Sequence, residues 1–137
     1  MKILSSIEII KSNPERYYLT AKPTGPELVS LLVKDALFAG EIDISIKNYE
    51  GWFVISSQSD WLIRNHKGLS DWKGIFNSLI PFPEKGELQH RSEIFLMAFA
   101  ESIFVFSLCK EEVIKGAKPQ NIEEHITGGG FSIFFKM

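Results

Sequence analysis

Cysteine is nearly missing from this sequence: Cys109 is the only one among 137 residues, so no internal disulfide framework can form. A lone thiol beside an apolar run fits a reducing compartment. A charge excess is missing too. Fifteen Lys and Arg stand against 17 Asp and Glu, for a net charge of -2, and the basic residues are scattered. That removes the electrostatic footprint of a nucleic-acid binder. No apolar run approaches the ~18 residues of a membrane span. Met1-Lys2-Ile3-Leu4 passes at once into Ser5, Ser6, Glu8 and Lys11, without the apolar stretch of a signal peptide. The expectation is a cytoplasmic chain that contacts neither membrane nor nucleic acid. Catalytic signatures are equally scarce. No G-x-S-x-G surrounds a serine, and His66, His90 and His125 have no ligand spacing to one another or to Cys109. No metal site is expected from them.

What is present is apolar material, 45% of residues, enough for one sizeable core and too little for two, so residues 1–137 are read as a single domain. Ser5-Ser6-Ile7-Glu8 has capping-box spacing and begins a short helix ending before Asn13-Pro14, and Tyr17-Tyr18-Leu19 reads as extended. Pro26-Glu27 opens a helix that Gly40 closes. Glu27, Ser30 and Lys34 form its narrow polar stripe, and Leu28, Leu31, Leu32, Val33, Leu37 and Phe38 imply a largely buried element.

Ile42-Asp43-Ile44-Ser45-Ile46-Lys47 alternates as a half-buried strand, Asn48-Tyr49-Glu50-Gly51 turns, and Trp52-Phe53-Val54-Ile55 returns into Ser56-Ser57-Gln58-Ser59-Asp60. Residues 64–68 read as a loop. Ser70 caps a short helix ended by Pro81 and Pro83, and residues 81–87 are expected to be mobile. Ser92-Glu93 opens a third helix through Phe99. Ile103-Phe104-Val105-Phe106 lacks alternation, as a strand covered on both faces should. Val113-Ile114, Ile122 and Phe131-Ser132-Ile133-Phe134-Phe135 are expected to complete the sheet, with Gly128-Gly129-Gly130 as a turn. The fold class is α+β: a two-layer α/β sandwich whose mostly antiparallel, mixed sheet is covered on one face by helices.

The run from Ile7 through Asn13-Pro14-Glu15-Arg16-Tyr17-Tyr18, followed by Gly25-Pro26-Glu27-Leu28-Val29, resembles the start of the GHKL-superfamily ATPase domain of DNA gyrase B subunits. The likeness continues through the hairpin of residues 42–55, through Ile94-Phe95-Leu96-Met97-Ala98-Phe99-Ala100-Glu101-Ser102-Ile103, and through Gly130-Phe131-Ser132-Ile133-Phe134-Phe135 as closing strand. It implies a fold built to hold ATP and Mg²⁺, and the chemistry-bearing positions depart from it. Where the resemblance implies a catalytic glutamate and a metal-binding asparagine on the first long helix, this chain has Leu31 and Asp35. Leucine cannot take a proton from water.

The adenine-reading aspartate and the glycines after it fall on Ser57-Gln58-Ser59, with Asp60 displaced by three positions. The lid glycines become Gln89-His90-Arg91-Ser92, and the threonine near the closing strand becomes Phe131. The chain therefore reads as a pseudo-ATPase that needs no cofactor: a non-catalytic module binding a protein partner, of the inhibitor or immunity type. The alternative is a nucleotide-binding regulator without hydrolysis.

Two residues could mark a residual pocket, each with a structural alternative. Asp35 lies on the face of Leu28, Leu31 and Leu32, where a carboxylate either keeps a ligand or is held by a serine or backbone amide. Asp60 either reaches a ligand or bonds its own turn backbone. For a partner surface the candidates are Trp61, Trp72 and Phe82. The two tryptophans are flanked by Asp60, Arg64, Asp71 and Lys73, so they either anchor an interface or plug the former nucleotide pocket.

Overall fold

Thr24 starts the first helix as a full capping box: its side chain accepts from the Glu27 backbone N–H while the Glu27 carboxylate accepts from the Thr24 N–H. Such a cap contributes about 1 kcal/mol. The computed structural model of the protein describes residues 23–62, 71–76, 93–108, 110–126 and 130–137. Helix α1 is Gly25–Phe38, and Gly40, at φ +96°, takes the left-handed conformation that stops it. The expected first helix, the extended Tyr17-Tyr18-Leu19, the loop of residues 64–68, Ser70 and the segment of residues 77–92 lie outside the described residues.

After α1 come β1 (Ser45–Tyr49), β2 (Trp52–Ser57), α2 (Trp72–Phe76), α3 (Glu93–Phe99), β3 (Ser102–Ser107), β4 (Glu111–Lys115), α4 (Ile122–His125) and β5 (Phe131–Lys136). The first hairpin is tighter and later than expected. Its strand spans Ser45–Tyr49 and only Glu50 and Gly51 form the loop, both at positive φ, as a type I′ turn requires. Ile122, expected in a strand, instead opens α4.

The five strands form one sheet in the order β1-β2-β5-β3-β4, and every pairing is antiparallel. The mixed sheet expected from the sequence is thereby corrected: β5, last in the chain, inserts between β2 and β3, so no parallel crossover arises among the described residues. As the central strand, β5 carries Phe131, Ile133 and Phe135 on one face and Ser132 and Phe134 on the other, all buried.

Period-two alternation divides the interior into two cores. On one face, Ile55, Ile103, Val105, Phe131, Ile133 and Phe135 pack against α1, α2 and α3. On the other, Trp52, Val54, Phe104 and Phe134 form a smaller cluster closed by Ile122 of α4. The sheet is thus not covered on one face alone. At its centre the Ser56 and Ser132 hydroxyls satisfy each other at 2.8 Å, so two buried polar side chains cost little. The apolar girdle of α1 is not wholly buried either: Leu28, Leu32 and Ala36 face the core at 0% exposure, while Leu37 and Phe38 remain at 56% and 42%.

Candidate functional site

The region to examine is the exit of β2, because the helix-side face of the sheet, α1 and the loop of residues 57–60 converge there. Local chemistry shapes that loop. The Ser57 hydroxyl donates to the Ser59 carbonyl at 3.1 Å, turning the chain away from the ladder. Gly40 reverses the chain after α1 and delivers Glu41, which is buried at 8% exposure. Its carboxylate accepts from the Ser59 backbone N–H at 3.0 Å and from the Ser59 hydroxyl at 3.1–3.2 Å. Beyond it, the exposed Gln58 side-chain amide donates to Asp43 at 2.9 Å. Gly130 approaches the same loop closely: a Cβ added there would lie 2.7 Å from the Gln58 carbonyl oxygen.

These partners escaped the sequence reading, although the hairpin register contains them. The pairs Ser45↔Ser56 and Tyr49↔Trp52 each sum to 101 in residue number. The same sum continued outward places Asp43 opposite Gln58 and Glu41 opposite Asp60, next to Ser59. A separation of 18 positions hides that relation until the turn is known. Glu41→Ala is expected to lower stability by about 1–3 kcal/mol, the cost of leaving buried donors without their acceptor. Urea denaturation checks it, and an unchanged midpoint would remove Glu41 from this role.

Asp60 is tied to an element 12 residues further along the chain. Its Oδ2 accepts from the Trp72 indole N–H at 2.8 Å, tying the hairpin exit to α2. Trp72 is 0% exposed and Trp61 2%. Both rings lie against Phe131, with centroids 6.1 and 6.4 Å away, and the Lys110 ammonium sits 4.3 Å from the Trp72 ring centroid. Neither tryptophan presents a surface to a partner, which corrects their reading as interface anchors. A polar neighbour in sequence does not mean exposure here, because the buried indole N–H of Trp72 needs an acceptor and the half-buried Asp60 supplies one. Phe82, the third candidate anchor, lies outside the described residues.

Leu31 is half-buried and packs against the helix-side core, and Asp35, one turn beyond, is 1% exposed on the inner face of α1. Asp60 thus holds α2, and Asp35 lies buried on the inner face of α1. His125 is not a plain surface residue, because its ring stacks on Tyr49 with centroids 3.5 Å apart. The Tyr49 hydroxyl donates to the Gln120 carbonyl at 3.1 Å. Burial, and secondarily the charge of Glu50, holds that phenol above the ordinary tyrosine range. Among the described residues no group of three His, Cys, Asp or Glu side chains could hold a metal ion. No helix among them is long and apolar enough to cross a membrane.

Comparison of the chain with protein families, with curated proteins and with solved structures finds no match.

Proposed function

We propose that the protein is a non-catalytic interaction module built on a degenerate GHKL ATPase-like fold, serving as a small inhibitor or immunity-type protein toward a protein partner in the cytoplasm. The observation that carries this reading is the hydrogen bonding of the β2 exit. There Glu41, Ser57, Ser59 and Asp60 are bonded to one another or to Trp72, where a nucleotide-hydrolysing relative would turn such groups toward substrate. Further support comes from Leu31, a side chain with no proton acceptor at the position assigned to the base. The GHKL-like part of the reading leans on the succession of α1, the β1–β2 hairpin, the α3-to-β3 step and the closing β5. A nucleotide-binding regulator without hydrolysis is the second reading. The buried Asp35 favours it, as a carboxylate retained on the inner face of α1.

Turnover of ATP tests the first reading directly. Loss of a general base removes about 10²- to 10⁴-fold in rate, so phosphate release should not rise above the uncatalysed background. Hydrolysis that Asp35→Ala abolishes would overturn it. Calorimetric titration with ATP and ADP separates the two readings, since only the regulator gives a saturable heat.

A further inference from the structure

The two edges of the sheet are built differently. At one edge, β4 carries Glu111, Glu112 and Lys115, pairs with β3 through a register shift at Ile103/Phe104, and is crossed by the Lys118–Glu111 ion pair at 2.8 Å. Charges and bulges of this kind keep an edge from pairing with another strand. The opposite edge, β1, has an unbroken register with β2, no proline, and Lys47 as its single charge. Four of the six large hydrophobics exposed among the described residues lie on β1 or in the stretch of chain that leads into it from the end of α1: Leu37 at 56%, Phe38 at 42%, Ile42 at 87% and Ile46 at 51%.

A two-residue loop makes Tyr49↔Trp52 a hydrogen-bonded pair, so bonding to β2 alternates through Lys47 and Ser45. The N–H and C=O groups of Ile46 and Asn48, and by continuation of Ile44 and Ile42, therefore point away from β2. The side chains alternate in step. Ile46 lies opposite Ile55 on the helix-side face, where Ile44 also packs, whereas Lys47 lies opposite Val54 on the other face.

We propose that β1 pairs antiparallel with β1 of a second copy of this chain about a two-fold axis at Ser45, joining two sheets into one. This register sets Ile44 opposite Ile46 of the second copy, each pair exchanging both backbone hydrogen bonds and extending the apolar row on the helix side. On the other face it sets Asp43 opposite Lys47 of the second copy, twice over by symmetry, so the one charge on the strand meets its complement. Neighbouring registers lose that match. An axis at Lys47 opposes two lysines, one at Ile46 puts Asp43 against Tyr49, and one at Ile44 offers Lys47 only Glu41, which is buried and held by both donors of Ser59, whereas Asp43 is exposed and takes one bond, from the exposed Gln58. Naming a second copy as partner rests on the interaction-module reading. ATP hydrolysis by a chain that dimerises through β1 would sink that reading alone, and a non-hydrolysing monomer would sink the self-pairing alone.

Sedimentation equilibrium on the full chain tests the pairing, with an expected mass of twice 15.6 kDa. Asp43→Lys or Lys47→Asp alone should raise the dimer dissociation constant about tenfold, through paired like charges, and the double exchange should restore it. Ser45→Cys in a Cys109→Ser background should cross-link two chains under mild oxidation. The two residues would face each other in a non-hydrogen-bonded pair about 4.5 Å apart between Cα atoms, inside the roughly 4.4–6.8 Å disulfide range. A chain that stays monomeric up to its solubility limit overturns the proposal and leaves the edge to a strand of some other protein. A dimer indifferent to both charge changes and free of the Ser45→Cys cross-link overturns it equally.

Discussion

Ile133→Asp is expected to abolish cooperative folding. Ile133 is 0% exposed at the middle of β5, opposite Ile55 on one side and Val105 on the other, within the helix-side core. A carboxylate placed there would either ionise without a partner or stay protonated far above its usual pKa, at a cost of several kcal/mol either way. Domains of this size hold about 5–15 kcal/mol in total. The position amplifies the loss, because β5 links the β1–β2 hairpin to β3–β4, and disrupting it uncouples the two halves of the sheet. Circular dichroism should show no sigmoidal melt, or the protein should aggregate. A soluble variant with a sharp transition would mean that β5 does not lie between β2 and β3.

Trp72→Ala should cost about 3–5 kcal/mol, as other large-to-small changes in a packed core do. Three contacts are lost together: the tilted packing of the ring on Phe131, the bond from its N–H to Asp60, and the cation of Lys110 over its face. Trp72→Phe separates them. It keeps much of the volume and removes the donor to Asp60, so a smaller loss of about 0.5–1.5 kcal/mol is expected, the net contribution of one hydrogen bond. Guanidinium denaturation of both variants checks the order. If Trp72→Ala leaves the midpoint unchanged while partner binding falls, Trp72 is an interface anchor after all, and its burial against Phe131 does not describe the folded chain.

The elements were legible wherever local chemistry suffices. Pro26 and Gly40 bracket α1 within two residues, and Glu50-Gly51 needs only its own φ preferences to place a turn. The unbroken apolar run of Ile103 to Phe106 announced a strand covered on both faces, and it supplies both cores. Ile42 to Ile44 read as strand because alternation does not say where the ladder ends. Leu37 and Phe38 read as buried because periodicity cannot show that α1 outruns the sheet beneath it. The candidate site was the least legible part. Asp60 and Trp72 are 12 residues apart and Glu41 and Ser59 18 apart, and nothing local links either pair.

Composition by itself determined the scale of the core and the absence of an internal disulfide framework. Periodicity marked most of the described helices and strands, though not Ile122 or the start of β1, since a hydrogen-bonded helix or an alternating strand is set by residues a few positions apart. Tertiary structure alone decided that β5 enters the centre of the sheet, that the sheet is antiparallel throughout, and that Trp61 and Trp72 face inward. Those outcomes depend on which apolar faces meet across long stretches of chain. The free energy of that meeting comes from area buried between distant residues, and no window of neighbouring residues contains it.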